Sequence, residues 1–207
     1  MGKLLLATNN QGKVSEYRNL LRAVPLEMVT LAEAGIGTVV AETRKTLEEN
    51  ARLKATALAA ESGLLALADD SGLEVDILGG EPGPLSARYA GEGASDKERV
   101  SYLLSRLKDV PWPKRTARFR CVIAMATPDK HVTLCSGECR GYIAFDPRGE
   151  GGFGYDPIFY LPELDKTMAE LPPEIKNQFS HRGRAARKVY QVLQKPRFQR
   201  FLEMTGR

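Results

Sequence analysis

The chain has 207 residues, of which 43% are hydrophobic and 27% charged. This length corresponds to one or two domains, and the composition is that of a globular protein rather than a disordered one. Apolar runs stay well below the roughly 18 residues of a membrane span, no signal peptide is expected, and three cysteines without a CxxC pair predict reduced thiols. We therefore expect a single cytoplasmic domain over residues 1–207, with no membrane partner.

Positive charge is concentrated towards the C-terminus. Residues 174–207 hold nine Lys and Arg against two Glu, whereas the whole chain has a net charge of +4. Such a run fits a solvated helix face, a phosphate-binding surface or a nucleic-acid contact. Because no basic and aromatic residues interleave as in a surface that stacks single-stranded bases, no stable nucleic-acid partner is expected.

The first half of the chain alternates predicted strands and helices. A strand over Lys3–Thr8 precedes a helix that Asn9 or Asn10 can cap and that Pro25 closes. The strand Leu26–Thr30 follows it. This order is typical of an α/β protein.

The next segment begins with a second helix, from the capping box Thr46-x-x-Glu49 to Gly63. Two further strands, Leu64–Ala68 and Leu73–Ile77, are predicted on either side of a polar turn at residues 69–72. A second capping box, Ser95-x-x-Glu98, predicts the helix that follows a loop rich in Gly and Pro.

The second half contains a predicted hairpin and a basic helix. Apolar residues alternate over 117–125, and Val132–Ala144 can form the antiparallel partner strand. A helix capped by Ser180 runs through Gln194, and Pro196 breaks it. We expect an α/β fold with a central twisted mixed sheet flanked by helices.

Residues 8–13 form the first candidate site, between a strand and a helix. A helix N-terminus offers unpaired N–H groups to anions, and Gly12 allows close approach of the backbone. A cation opposes the helix dipole there, so Lys13 lowers stability unless an anion lies nearby. The GxxxxGK[ST] spacing of a Walker A loop is absent. Phosphate binding and an ordinary capped helix with an exposed Lys13 both remain open.

Adjacent carboxylates at the end of an apolar strand form the second candidate. Burying Asp69 or Asp70 without a cation is costly, and Mg²⁺ would remove that conflict because it takes oxygen ligands and bridges to phosphates. A solvated polar turn is the alternative. Glu42 adds an acidic group upstream, whereas Glu49 already serves the capping box.

Two later segments could hold a planar base. In Gly151–Pro157, three glycines free the backbone while Phe153, Tyr155 and Asp156 project from it, although the two aromatic side chains could equally lie in the core. Lys176 and the Ser180-His181-Arg182 segment offer donors near a helix start, where a structural role is the alternative.

Seven motifs occur in a characteristic order: Thr8-Asn9-Asn10-x-Gly12-Lys13, Glu49-Asn50-Ala51-x-x-Lys54-Ala55, Ala68-Asp69-Asp70-Ser71-Gly72-Leu73, Leu78-Gly79-Gly80-x-Pro82-Gly83, Ser86-Ala87-Arg88-Tyr89, Gly151-Gly152-Phe153-Gly154-Tyr155-Asp156-Pro157 and Ser180-His181-Arg182. Together they resemble the inosine triphosphatase or Ham1-like family, the pyrophosphatases of non-canonical purine nucleoside triphosphates, over nearly the whole chain. One departure is Thr43-Arg44-Lys45-Thr46-Leu47, where relatives usually carry a Gly and a Thr-Phe pair. It lies next to Glu42.

The resemblance implies an elongated two-lobed fold with the active-site cleft between the lobes, usually as a homodimer. It implies Mg²⁺-dependent hydrolysis of ITP, dITP or XTP to the monophosphate and pyrophosphate, which removes these nucleotides from the pool used for DNA and RNA. Asp70 would be catalytic and, with Glu42, a metal ligand. The residues expected to bind substrate are Thr8, Asn9, Asn10, Gln11, Gly12, Lys13, Lys54, Ser71, Phe153, Gly154, Tyr155, Asp156, Lys176, His181 and Arg182.

Two other functions are weighed against this one. A Maf-like pyrophosphatase would act on other modified nucleotides, but the opening motif does not resemble that family's serine- and arginine-rich opening. A basic nucleic-acid-binding module is compatible with a pI of about 9.0, yet it leaves Asp69 and Asp70 unexplained. Such a module would lose affinity steeply with salt.

Overall fold

A computed structural model describes residues 2–205, apart from the side chains of Arg200, Met204 and Thr205. The helices are α1 (Gln11–Leu20), α2 (Leu47–Ser62), α3 (Asp96–Arg106), α4 (Pro173–Phe179), α5 (His181–Leu193) and α6 (Pro196–Thr205). The strands are β1 (Lys3–Leu6), β2 (Glu27–Thr30), β3 (Leu65–Val75), β4 (Pro82–Gly83), β5 (Thr116–Ala126), β6 (Val132–Ile143), β7 (Phe159–Leu161) and β8 (Lys166–Thr167).

The strands form one mixed sheet in the order β2-β1-β3-β5-β6-β7-β8, with β4 beside β3. Strand β1 pairs in parallel with β2 and β3. The pairs β3–β4, β6–β7 and β7–β8 are antiparallel. The predicted α/β class with a central mixed sheet and flanking helices is confirmed.

Helix starts follow the capping signals of the sequence. The Asn10 side chain accepts a hydrogen bond from the Lys13 amide at 3.0 Å, and Thr46 accepts one from the Glu49 amide at 3.2 Å. The Ser95 capping box of α3 is complete, with both reciprocal bonds present. Local side chains therefore fix where α1, α2 and α3 begin.

Strand β3 differs from the sequence-based expectation. A polar turn over 69–72 was predicted between two strands, but the structure has one continuous strand over Leu65–Val75, so that prediction is wrong. Both aspartates are buried and have polar partners, Lys13 and Arg182 for Asp69 and Asn50 for Asp70, so neither needs a solvated turn. A Cβ on Gly72 would lie 2.3 Å from the Gly83 carbonyl oxygen, so this glycine permits the close approach of β4 instead.

The C-terminal region contains more helix than predicted. Helix α5 begins next to Ser180 as expected and ends at Leu193. Pro196 then opens α6 rather than only ending α5, because proline suits the first turn of a helix. The short helix α4 is not among the predicted elements, although it too begins at a proline, Pro173.

The chain divides into two compact units, each built from separated segments. The first unit comprises Met1–Asp70, Cys121–Gly137 and Arg182–Arg207, and the second comprises Ser71–Arg120 and Glu138–His181. The first unit contains two apolar clusters, one around Leu4, Leu6 and Tyr17 and one around Leu5, Ala51 and Leu58.

The second unit has an apolar cluster of its own, which includes Leu73, Leu103, Phe119 and Phe159. The single domain expected over residues 1–207 stays a prediction. None of the described helices is both long and apolar enough to cross a membrane.

Candidate active site

The N-terminal end of α1 carries the first group of predicted site residues. Asn9, Asn10 and Gln11 are exposed, while Thr8, Gly12 and Lys13 are half-buried. The Thr8 hydroxyl accepts a hydrogen bond from the Asn10 amide at 3.2 Å, which fixes the loop before the helix. Exposed polar side chains at the positive end of a helix dipole are suited to an anionic ligand.

Asp69 supplies the anion that Lys13 requires. Its carboxylate is 1% exposed, with Oδ1 at 3.0 Å from Lys13 Nζ and Oδ2 at 3.4 Å from Arg182 Nη2. Arg182 is buried as well, and its Nη1 lies 2.5 Å from Glu16 Oε2. The guanidinium carbon lies 6.0 Å from the centre of the Tyr17 ring. The first unit therefore contains a buried network of two cations and two carboxylates.

Asp70 belongs to a second network in the same unit. Its Oδ2 accepts a hydrogen bond from Asn50 Nδ2 at 3.0 Å. Lys54 Nζ donates to the Asp69 carbonyl oxygen at 2.6 Å and forms an ion pair with Glu42. Burial, together with the nearby Glu42 carboxylate, raises the pKa of Asp70 to about 6 against the opposing effect of Lys54. Burial acts to lower the pKa of Lys54, but Glu42, Asp69 and Asp70 together raise it above its usual value.

Adjacent carboxylates in β3 thus have different partners. Side chains alternate between the two faces of a strand, so Asp69 meets Lys13 and Arg182 while Asp70 meets Asn50 and the Lys54 region. The conflict expected between two neighbouring buried carboxylates is relieved by separate sets of donors.

Asp156 organises the predicted base-binding residues of the second unit. Its Oδ2 accepts hydrogen bonds from the Phe153 amide at 2.9 Å and from Lys176 Nζ at 2.6 Å. Lys176 Nζ also lies 5.2 Å from the centre of the Phe153 ring. A Cβ on Gly152 would lie 2.1 Å from Asp156 Oδ2, so this contact requires a glycine. Phe153 and Gly154 remain half-buried and can meet a ligand.

Three other predicted residues of this unit are placed differently. Tyr155 is 4% exposed in the apolar cluster, and its hydroxyl donates to the Ser86 carbonyl oxygen at 2.9 Å. His181 is buried and stacks on Phe119, with ring centres 4.7 Å apart. Ser71 lies half-buried in β3, next to Asp70 in the chain.

The sequence assigns no site role to Asn50 or Glu16, although Asn50 contacts Asp70 and Glu16 contacts Arg182. Asn50 had a usable signal, since an asparagine inside a helix and on its apolar face requires hydrogen-bond partners. Glu16 gave none, because its partner Arg182 lies 166 positions away.

Asp70 and Glu42 are the predicted oxygen donors for a cation. Over residues 2–205, no group of three or more His, Cys, Asp or Glu side chains could hold a metal ion. Asp70 and Glu42 are nevertheless close enough for one carboxylate to raise the pKa of the other. Mg²⁺ commonly binds one or two protein carboxylates together with substrate phosphates, so this pair fits such an ion.

Comparison with known proteins gives consistent matches across the chain. The model of the Ham1 family matches residues 4–192. The dITP/XTP pyrophosphatase of Desulforamulus reducens is 51% identical over 92% of this chain and 95% of its own length. That of Bacillus subtilis is 46% identical over 94% and 98%. Among solved structures, a HAM1 protein from Coxiella burnetii has a TM-score of 0.85 at 42% identity, covering 93% of this chain and 98% of that protein.

Proposed function

Because the chain belongs to the Ham1 family, we propose that it hydrolyses dITP, ITP and XTP to the nucleoside monophosphate and pyrophosphate. The curated relatives named above are dITP/XTP pyrophosphatases and align with more than nine-tenths of this chain. Removing these triphosphates keeps non-canonical bases out of DNA and RNA.

The structural observation that carries this proposal is the placement of Asp70. This buried carboxylate lies within electrostatic reach of both Lys54 and Lys13, which lower its pKa against the effect of burial. Lys13 is in the first turn of α1, whose N-terminus suits a phosphate group. An acid, two cations and an anion-binding helix end are therefore available in one unit.

Asp70 and Glu42 are the residues that would hold Mg²⁺, since both offer hard oxygen donors. When bound, Mg²⁺ supplies charge neutralisation for the triphosphate and for the pyrophosphate leaving group. Lys54 forms an ion pair with Glu42 and would remain beside the two carboxylates as a further positive charge.

The chain's own residues would act on the phosphates and on water. Asn9, Asn10 and Gln11 would bind the triphosphate at the start of α1, and Lys13 would face the charge that develops on it. Water would attack the α-phosphorus in line while the bond to pyrophosphate breaks. Asp70, whose carboxylate lies beside Lys54 and Lys13, would orient or deprotonate that water.

The loop around Phe153 and the start of α5 would bind the base. The half-buried Phe153 ring offers an apolar face to a planar purine, and Lys176 and Asp156 fix the backbone beside it. His181 and Arg182 are the donors proposed to meet the 6-oxo group that hypoxanthine and xanthine share. Adenine carries an amino group at that position, which such donors would reject.

Other aspects of the proposal concern the protein's surroundings. We propose a homodimer in the cytoplasm, where reducing conditions suit the three buried free cysteines Cys121, Cys135 and Cys139. Light scattering coupled to size exclusion tests the oligomeric state. The Maf-like and nucleic-acid-binding alternatives are not favoured by the relatives of this chain.

A product assay tests the activity directly. The purified protein is incubated with ITP, dITP, XTP, GTP or ATP, with and without Mg²⁺, and the released phosphate species are identified. We expect pyrophosphate and the monophosphate from the first three nucleotides, only when Mg²⁺ is present. Release of orthophosphate, or equal rates on ATP and ITP, would refute the proposal. Asp70→Asn provides the inactive control for contaminating phosphatases.

A further inference from the structure

The loop that carries Phe153 is held at three consecutive residues. The Phe153 amide donates to Asp156, and the Tyr155 hydroxyl donates to the Ser86 carbonyl oxygen. Between them, the Gly154 amide donates to Asp96 Oδ2 at 2.6 Å. Asp96 is the first residue of α3 and lies 58 positions away in the chain, so this bond ties the loop to a helix.

The Asp96 carboxylate is itself oriented by Arg99. Arg99 Nη2 forms an ion pair with Asp96 Oδ1, which leaves Oδ2 directed at Gly154. The Arg99 side chain is 18% exposed, and its Nη1 donates to the Ala87 carbonyl oxygen at 2.9 Å and to the Ala94 carbonyl oxygen. Backbone carbonyl groups therefore hold the Arg99 guanidinium in place, and the guanidinium in turn orients the Asp96 carboxylate.

Capping of helix α3 does not explain why Asp96 bonds to Gly154. Ser95 and Glu98 already form a complete capping box, with Glu98 Oε2 at 2.7 Å from the Ser95 amide. A negatively charged aspartate in the first turn of a helix interacts favourably with the helix dipole, whether or not it also bonds to Gly154. The dipole therefore gives no reason for a bond to Gly154, whose φ of +63° marks the bend of the loop.

We infer that Asp96, oriented by Arg99, is a positioning residue for the nucleobase side of the site. It holds the Gly154 amide so that the neighbouring Phe153 ring keeps one position against the purine. This inference rests on the proposed function, because it takes Phe153 as a residue that contacts the base. It adds a function for α3 that the site residues proposed above do not include.

Loss of the hydrogen bond between the Gly154 amide and Asp96 should weaken binding of the base more than it slows the reaction at phosphorus. Small displacements of positioning groups weaken binding or reaction by large factors, and the Phe153 ring is adjacent to the freed amide. We expect Asp96→Ala to raise the KM for ITP and the inhibition constant of IMP about tenfold. The kcat and the inhibition constant of pyrophosphate, which has no base, should stay within about twofold.

Two further variants separate positioning from stability. Asp96→Asn keeps one oxygen that can accept from the Gly154 amide but loses the ion pair with Arg99, so it should bind IMP more tightly than Asp96→Ala does. Glu98→Ala breaks the capping box on the same turn without touching Gly154, and it should lower the melting temperature while the KM for ITP stays at the wild-type value. Both variants are measured beside Asp96→Ala.

The outcomes decide the inference in either direction. A selective loss of ITP and IMP binding in Asp96→Ala, with rescue by Asp96→Asn, supports it. Unchanged constants in Asp96→Ala, an equal loss of pyrophosphate binding, or the same loss in Glu98→Ala overturns it.

Failure of the proposed function is recognised separately, because the wild-type protein would then release no pyrophosphate. In that case hydrogen exchange at the Gly154 amide decides whether Asp96 holds the loop. Exchange faster in Asp96→Ala than in Glu98→Ala supports positioning, and equal exchange in the two variants overturns it.

Discussion

Replacing Lys13 with methionine tests whether the ion pair between Lys13 and Asp69 stabilises the first unit. Lysine in the first turn of a helix opposes the dipole, and that effect alone predicts that Lys13→Met stabilises the protein by about 0.3–1 kcal/mol. The structure places Lys13 Nζ at 3.0 Å from Asp69 Oδ1, with only 14% of the lysine side chain exposed. The contact with Asp69 therefore predicts the opposite sign.

The magnitude follows from the geometry of the pair. Two unit charges 3.0 Å apart attract by about 5.5 kcal/mol at an effective dielectric constant of 20. Removing one partner of a buried pair typically costs about 3–5 kcal/mol, because the other charge stays buried. Asp69 keeps Arg182 at 3.4 Å, and relief of the dipole conflict offsets part of the loss. We expect Lys13→Met to lower the free energy of unfolding by about 2–3 kcal/mol.

Thermal and urea unfolding without nucleotide measure this effect. The melting temperature should fall by roughly 4–12 °C for a chain of this size. Arg18→Met is the control on the same helix, because it breaks an ion pair with Glu33 that is about half exposed and should cost less than about 1 kcal/mol. A Lys13→Met variant as stable as the wild type would refute the reasoning.

The same variant tests the binding role of Lys13. If the lysine also meets the triphosphate, Lys13→Met should raise the KM for ITP while the affinity for IMP stays within about twofold. Equal weakening of ITP and IMP would place the effect of Lys13 elsewhere than at the outer phosphates.

Three further substitutions address other parts of the site. Asp70→Asn should lower kcat by at least about 10² in the pyrophosphate assay with little change in melting temperature, and near-wild-type turnover would remove Asp70 from catalysis. Gly152→Ala should cost about 1–3 kcal/mol more in urea unfolding than Gly154→Ala. Both glycines have positive φ, but only the Cβ at 152 would meet Asp156, so equal losses would contradict the clash. Arg182→Ala should lower the free energy of unfolding by about 3–5 kcal/mol and reduce activity on ITP and XTP. An unchanged ITP-to-ATP ratio in kcat/KM would show that Arg182 does not read position 6 of the base, and would limit it to contact with phosphate or to a structural role.

Elements fixed by local signals were predictable from the sequence. Thr46 and Ser95 begin helices because their caps involve residues only three positions away, so no tertiary information is needed. The break predicted within β3 was wrong for the opposite reason. Two adjacent aspartates are typical of a turn, but here distant parts of the chain supply Lys13 and Arg182 to Asp69 and Asn50 to Asp70, and local patterns do not show those contacts.

The candidate site was predictable to a similar extent. The motif order pointed to the α1 start and to Asp70, and the structure brings Lys13 and Lys54 within electrostatic reach of that carboxylate. The Glu16–Arg182 pair was not predictable, since 166 residues separate its members. The alternative that placed Tyr155 in the core agrees with its 4% exposure, but no local pattern could choose between the two interpretations.

The first unit consists of separated segments of the chain, which determines when it can fold during synthesis on the ribosome. Leu4 and Leu6 pack in the same apolar cluster as Leu193 and Phe198. At about 5–20 residues per second, the ribosome needs roughly 10–40 s to make the chain between them. The second unit is complete once His181 has emerged, so it can fold while the opening strands still lack their closing helices. We therefore expect β1 to expose the apolar surface of Leu4 and Leu6 until α5 and α6 have left the ribosome.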